Sequence, residues 1–432
     1  MQEEIEALHN NKTWILVPKT AGMNIVGSKW VFKTKLKADG TIDRHKARLI
    51  KQLDVKNAFL HGHLQVLKKA LYGLKQAPRA WFDGFSLHLL HLGFICSKAD
   101  SSLFILHCKR STILLLLYVD DIIITGSNSE HVSEIIVTLG KEFAMKDLGP
   151  LHFFLGIEVK QFSGGIHLSQ SKYAAELLHK TDMTLAKAVH TPLAQKHGLQ
   201  EATGSPVDVS LYRSIVGSLQ YLTLTRPDIT HAVNLASQFM QSPNSEHLLG
   251  VKRILRYVKG TLQHGLRIIS QSSCRLYGYS DADWGGCPTT RRSTTGYSIY
   301  LGANCISWAS KKQSTVARSS VEAEYRALAS TAAEMTWITY ILHDIGVYIK
   351  RVPILYCDNL SALYMTVNPV MHARTKHVEM DYHFVREKVA RGQLLTQFVR
   401  SKDQLADIHT KALTKQVFLG FKQARSGSSS IH

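Results

Sequence analysis

The stretch that most constrains this chain runs from Ile113 to Thr125, Ile-Leu-Leu-Leu-Leu-Tyr-Val-Asp-Asp-Ile-Ile-Ile-Thr. Seven apolar residues, Ile113 to Val119, lead into Asp120-Asp121, and a second apolar run, Ile122 to Ile124, leaves it. The first run is far short of the about 20 residues that span a bilayer. Its shortness and the β-branched residues around it read as two buried strands joined at the acids. Adjacent carboxylates at such a hairpin tip repel one another and resist desolvation. A divalent cation held by oxygen ligands relieves both costs. A solvated Asp-Asp turn is the plain alternative.

At 432 residues the chain is long enough for two to four domains around sizeable cores. Its apolar and charged fractions, 45% and 20%, are those of globular proteins. Lys and Arg outnumber Asp and Glu by 52 to 33, a formal charge of +19. A field of that sign favours polyanions, meaning nucleic acid or an anionic membrane surface. Six widely spaced cysteines form neither a zinc-knuckle pattern nor a disulfide framework, as expected of reduced thiols inside a cell. The acidic start, Met-Gln-Glu-Glu-Ile-Glu, is not a signal peptide. No segment has the length of a membrane helix, so a cytoplasmic or nuclear protein with no membrane partner is expected.

Along the chain, residues 14–50 read as short strands, with Ala38-Asp-Gly40 as a hairpin turn. Lys33, Lys35 and Lys37 share one face of their strand, and Arg44, Lys46 and Arg48 follow, a grip for phosphates or a solvated edge. Residues 52–62 begin as a strand bearing Asp54, and residues 69–81 lead into an amphipathic helix reaching about Leu92. Residues 186–206 read as a linker, and 211–222, 228–240 and 247–259 as helices. The last is basic on one side, a backbone contact for nucleic acid or a solvated face.

Three ordered motifs now carry a resemblance: Asp54 with Phe59, the run Ala70-Leu-Tyr-Gly-Leu-Lys-Gln-Ala-Pro-Arg-Ala-Trp81, and Tyr118-Val-Asp-Asp121. Together they resemble the reverse transcriptase of copia-type retrotransposons. The resemblance implies in-line phosphoryl transfer assisted by two magnesium ions, with manganese as the substitute ion. It makes Asp54, Asp120 and Asp121 the metal-binding catalytic acids. It sets Phe59 against a ribose 2′-hydroxyl and Gln76 against the incoming nucleotide, with Lys33, Lys35 and Arg48 as triphosphate contacts. Core packing and a helix cap are the alternatives for Phe59 and Gln76. The sequence departs from the family between Lys51 and Gln52, where the family carries a few dozen further residues, and again near Leu64 to Leu67. Loss of those elements would uncover apolar surface and strand edges, so an impaired polymerase half is expected.

A second series of acids lies further on: Asp281 and Asp283 in Ser280-Asp-Ala-Asp-Trp284, Glu322 and Glu324 opening a long helix, Asp358 ending a strand at Cys357-Asp-Asn359, and Asp407 in Asp403-Gln-Leu-Ala-Asp407, read as the start of a terminal helix. That order resembles ribonuclease H. The resemblance makes Asp281, Glu324, Asp358 and Asp407 the ligands of a second pair of magnesium ions. Glu322 stands two residues from Glu324 and is turned from that face, and Asp283 is a surface or outer acid. His377 and His383 read as structural or backbone-contacting.

The expected fold class is α+β: a truncated right-hand polymerase with fingers and palm, then a helical connection and an α/β ribonuclease H-like domain with a mixed five-stranded sheet. The expected divisions are 1–50 fingers remnant, 51–185 palm and thumb start with internal deletions, 186–272 linker and connection, 273–420 ribonuclease H-like domain, and 421–432 disordered tail. The expected function is RNA-directed DNA polymerase with ribonuclease H activity, taking an RNA template, a DNA primer, RNA–DNA hybrid and deoxynucleotide triphosphates. The alternatives are a decayed inactive remnant and a nuclease-only or nucleic-acid-binding protein.

Overall fold

A computed structural model describes residues 28–36, 42–51, 77–108, 111–119, 121–143, 145, 147–368 and 379–425. It divides into two compact units, Met1–Pro150 and Leu151–His432. The division falls ahead of the strands that the sequence grouped with the palm, and well ahead of the 186–272 linker and connection.

In the first unit, strands β1 (Ser28–Leu36) and β2 (Ile42–Lys51) form an antiparallel hairpin. Helix α1 (Ala77–His91) follows, then an antiparallel sheet of β3 (Ile95–Cys96), β4 (Leu103–Cys108), β5 (Ser111–Tyr118) and β6 (Asp121–Gly126), and helix α2 (Ser129–Glu142). Helix α1 ends where Gly93 turns left-handed at φ +90°. The Phe94 N–H then donates to Leu89 O and the Gly93 N–H to Leu90 O, and Leu89 and Phe94 pack below the turn. Phe85 and Leu89 of α1, Phe104 of β4, Ile113, Leu115 and Leu117 of β5, and Leu139 of α2 make the core. Strand β5 buries alternate residues, while Ile122, Ile123 and Ile124 of β6 are only half-buried. The continuous apolar run therefore forms a sheet with one well-covered face rather than two fully buried strands.

In the second unit, β7 (Phe153–Phe154), β8 (Ile157–Phe162) and β9 (Gly165–Ser169) form a meander that β10 (Gly265–Ile269) completes from 96 residues away. Between them come α3 (Ser171–Lys180), α4 (Val209–Leu222), α5 (Thr230–Ser237) and α6 (Ser245–Lys259). Tyr212, Leu219, Leu235 and Ile254 are the centre of their shared core, which also takes Ile408 and Phe418 from the far end of the chain. Segment 186–206 is irregular but lies against this core, with Leu193 and Leu199 buried. The basic side of α6 explains why. Arg253 donates to the Thr191 hydroxyl, Arg256 to Lys187 O and Lys259 to Ala186 O, so these cations pin that segment. The expected choice between a nucleic-acid face and a solvated face is thus replaced by an internal one.

The remaining elements are β11 (Leu276–Asp283), β12 (Thr294–Leu301), β13 (Asn304–Lys312), α7 (Ser320–Asp344), β14 (Ile354–Cys357), α8 (Leu360–Val367), α9 (Glu379–Ala390), β15 (Leu395–Phe398) and α10 (Lys415–Arg425). The strands make one mixed five-stranded sheet ordered β13-β12-β11-β14-β15, antiparallel among the first three and parallel from β11 through β14 to β15. Leu276, Ile299 and Leu355 turn one face toward Tyr325, Leu328, Ala332 and Met335 of α7. The helical layer is tied to the sheet by Trp308 Nε1 donating to Thr223 O at 3.1 Å and Asn234 Nδ2 to Ser310 O at 2.8 Å. The terminal helix does not begin at Asp403. Residues Ser401–Asp403 and Leu405–His409 are short 3-10 turns, and α10 starts only at Lys415.

Candidate functional site

Central strand β11 carries Asp281, and its parallel neighbour β14 ends one residue before Asp358. Parallel pairing of Tyr279 with Tyr356 brings the carboxyl ends of the two strands level, so both acids emerge at one sheet edge. Helix α7, capped by the Ser319 hydroxyl accepting from the Glu322 N–H, carries Glu324 one turn in, against the same edge. The 3-10 turn at Leu405–His409 brings Asp407 to the other side. Its seat is made by Gly296, opposite Asp281 in β12: a Cβ there would come within 2.5 Å of the Thr410 methyl and 2.8 Å of the His409 Cβ. Only glycine lets this segment lie so close.

The structure thus brings together Asp281, Glu324, Asp358 and Asp407. Oxygen atoms of Glu324 and Asp358 and the Cys357 sulfur lie within 4.8 Å of one another. Lys411 Nζ bridges the other two acids, 2.8 Å from Asp407 and 3.3 Å from Asp281. Thr410 donates its hydroxyl to Asp281. Asp358 accepts from Ser401 Oγ at 2.9 Å, and Gln404 donates to the Ser280 carbonyl at 3.0 Å.

Electrostatics mark the cluster as strained by its own charge. Burial, then the Asp281 and Asp358 carboxylates, push Glu324 up to about 9. Burial and Asp281 push Asp407 up to about 6. Asp281 is raised by burial against the pull of Lys411. The Cys357 thiol is raised by burial and by Glu324, so it stays protonated and points its S–H at that acid. Carboxylate oxygens are the donors a hard divalent cation takes, whereas a protonated thiol is not. The residues present fit such an ion, held by the acids with Cys357 behind them.

Glu322 stands apart, accepting from the Arg318 N–H and from Arg326 at 2.7 Å. Asp283 ends β11 half-buried, raised by burial and by Asp281. His383 lies 3.9 Å from Glu379 on the exposed side of α9. Sequence reasoning missed Lys411, Thr410 and Gln404. The spacing of Lys411 four residues after Asp407 was the available signal.

In the first unit, Asp121 begins β6, paired with Tyr118 across a two-residue turn. Val119 in that turn is left-handed at φ +54°, a strained conformation for a β-branched residue. Its carbonyl is held by the indole N–H of Trp81. Asp54, Phe59, Gln76, Asp120 and His377 lie outside the described residues. Lys33, Lys35 and Arg48 fall in the β1–β2 hairpin, opposite Lys46, Arg44 and Val31 in its register.

Carboxylates from two strands, a helix and a turn thus meet at one edge of a mixed sheet, a set of oxygen donors of the kind a hard divalent cation takes. The comparisons with known proteins give the family. The reverse transcriptase (RNA-dependent DNA polymerase) family matches residues 60–195. The retrovirus-related Pol polyprotein from transposon RE1 of Arabidopsis thaliana is 43% identical over 98% of this chain and 33% of its own length. That from transposon TNT 1-94 of Nicotiana tabacum is 36% identical over 97% of this chain and 37% of its own. The putative transposon Ty5-1 protein YCL074W of Saccharomyces cerevisiae is 34% identical over 61% of this chain and 87% of its own. The chain belongs to the copia-type Pol polyprotein family of retrotransposons, with its reverse transcriptase domain. It spans about a third of the length of the Pol polyproteins it matches. Among the described residues no helix is long and apolar enough to cross a membrane.

Proposed function

We propose that this chain carries the two nucleic-acid activities of a copia-type Pol protein, RNA-directed DNA polymerase and ribonuclease H, acting on an RNA template, a DNA primer and the resulting hybrid in cytoplasm or nucleus. The observation that carries the nuclease part is the meeting of Asp281, Glu324, Asp358 and Asp407, from two strands, a helix and a turn, at one sheet edge. The strand order, three antiparallel strands with two parallel ones beside the first, supports the ribonuclease H reading of 273–420. Two magnesium or manganese ions at each site would activate the attacking oxygen and neutralise the leaving one. Asp281 and Asp358, at the ends of two strands of the sheet, would hold the ions, and the ions would take the scissile phosphate. Glu324 from α7 and Asp407 from the 3-10 turn would complete the set of oxygen ligands. Lys411 keeps Asp281 and Asp407 apart and charge-compensated until substrate arrives.

For the polymerase part, Asp54, Asp120 and Asp121 would be the acids in a palm within 51–185, after a fingers remnant in 1–50. Lys33, Lys35 and Arg48 would meet the triphosphate, with Phe59 and Gln76 against its sugar and base. In the β1–β2 register Lys33 is the partner of Lys46 and Lys35 of Arg44, so basic positions of the two strands fall level. A nuclease-only reading rests on the departures from the family between Lys51 and Gln52 and near Leu64 to Leu67. The RE1 match extends over 483 residues against a chain of 432, so the relative carries segments without counterpart here. Primer extension and cleavage of the RNA strand of a hybrid, measured on one purified sample with magnesium, test both parts. Cleavage without extension selects the nuclease-only reading. Neither activity means a decayed remnant.

A further inference from the structure

Of the four acids, Asp281 and Asp358 are set by strands and Glu324 by α7, whereas Asp407 rides on the short 3-10 turn Leu405–His409. Short 3-10 pieces have poor internal hydrogen-bond geometry, so the place of this turn is set by what grips it from outside. From the sheet, Gln404 donates to the Ser280 carbonyl and the His409 ring meets the Ser298 hydroxyl at 3.1 Å. From the other side, Ile408 is buried in the core of the helical layer.

Helix α5 adds a polar face to that second grip. His231, Asn234 and Gln238 are spaced three and four residues apart and so share one side, while Val233, Leu235 and Ala236 enter the core. Asn234 donates to Ser310 O, and Gln238 accepts from Lys312 at 2.9 Å, both on β13. His231 reaches the turn instead. Burial lowers its imidazole to about 4, so at neutral pH the ring is uncharged and holds a single N–H. The Nδ1 atom is buried with no hydrogen-bond partner among the described residues, and the ring bonds the His409 backbone. The Nε2–H is therefore the donor and the His409 carbonyl the acceptor, two residues from Asp407. A cavity of about 230 Å³ lies beside this contact, between α5, segment 195–200 and the end of β11, with Thr410 and Lys411 in its wall. A segment bordering a void loses dispersion contacts on that side, which leaves a directional bond to fix its place.

We infer that His231 is a positioning residue for Asp407: its bond to the turn holds the fourth carboxylate at the distance from Asp281 that a shared divalent cation needs. The inference rests on the reading of the four acids as a metal site. It makes the helical layer a working part of that site, because α5 supplies the grip from outside the sheet.

The test is calorimetric titration of the full chain with magnesium, following the binding component that Asp281→Asn abolishes. His231→Phe keeps a ring but no donor. It is expected to weaken that component about 5-fold, less than the about 10–100-fold that follows loss of a group bonded to a ligand itself. The magnesium concentration for half-maximal hybrid cleavage should rise by the same factor. His231→Gln, whose amide N–H can donate to the same carbonyl, is expected to stay within about 2-fold of wild type. Gln238→Ala loses a contact of the same helix face to β13 and should also stay within about 2-fold. Where His231→Phe does not fold, His231→Asn, too short to reach the carbonyl, takes its place. Unchanged affinity in the donor-less variant, or equal weakening in it and in His231→Gln or Gln238→Ala, overturns the positioning role. A wild type that binds magnesium at the acids but cleaves no hybrid overturns the nuclease reading, and the calorimetric comparison still decides the role of His231. A wild type with no magnesium component sensitive to Asp281→Asn overturns both.

Discussion

Asp121 and Asp281 both stand beside a strand's turn or end, yet their surroundings differ in kind. Asp121 pairs with Tyr118 across a two-residue turn of a local hairpin, half-exposed, on a sheet with one well-packed face. Asp281 sits on a central strand, 1% exposed, with Glu324, Asp358 and Asp407 brought to it from 43, 77 and 126 residues away. A hairpin tip can be solvated and needs nothing further. A cluster built around the buried Asp281 and Glu324 has no such recourse, and Asp281, Glu324 and Asp407 stay up-shifted until a cation compensates them. The contrast separates acids that sequence neighbours explain from acids that only a fold can gather.

The sharpest break of that contrast is Asp281→Asn. Hybrid cleavage should fall by more than the about 10–100-fold that loss of an outer-shell partner costs. Asp121→Asn, assayed on the same hybrid, should leave cleavage within 2-fold and act on primer extension alone. An equal loss from both variants would erase the distinction.

Next in size are core truncations. Leu355 in β14 and Leu115 in β5 are both fully buried. Each Leu→Ala change should cost about 2–5 kcal/mol in chemical denaturation. Only Leu355→Ala should also weaken magnesium binding, because β14 positions Asp358; calorimetric titration reads this directly.

A third effect concerns pH. Glu324 titrates at about 9 in the fold against its ordinary 4.5, so the folded chain holds a proton the unfolded chain has released. Stability without metal should therefore be fully present below pH 4.5 and decline as pH rises toward 9. Asp407 contributes the same sign between 3.8 and about 6. Thermal melts in chelator should show the decline, and added magnesium should flatten it. A chelated protein that grows more stable over this range would contradict the buried-acid account.

The smallest effect is at Lys411. Its ammonium occupies the space between Asp281 and Asp407 and so competes with a cation. Lys411→Met should tighten magnesium binding by about tenfold, roughly 1.4 kcal/mol, while lowering the melting temperature of the metal-free protein. Calorimetry and melts on the same variant check the two signs.

Much of the architecture was legible because it is local. The apolar run at Ile113, the Asp-Asp turn, the strand ending at Asp283 and the long helix opened by Ser319 each follow from period, cap and turn chemistry. Other features were misread because propensity does not record partners. The basic side of 247–259 read equally as a contact for phosphates or a solvated face, and carbonyls and a hydroxyl of segment 186–191 take Arg253, Arg256 and Lys259. Residues 403–409 carried a helical pattern, but docking against Gly296 and Asp281 holds them in 3-10 turns instead. The strand at Gly165–Ser169 pairs with its sequence neighbour β8, but its second partner, β10, comes from far along the chain.

By itself the sequence determined the kinds of residue available for chemistry, the short strands and helices that carry them, and the family, since motif order and spacing are properties of one dimension. Tertiary structure alone decided which carboxylates share a site, that Lys411 stands between two of them, and that a cavity of about 230 Å³ adjoins them. Those outcomes depend on which strands pair and which glycine leaves room, and contacts across more than a hundred residues are energies of the packed fold rather than of any segment.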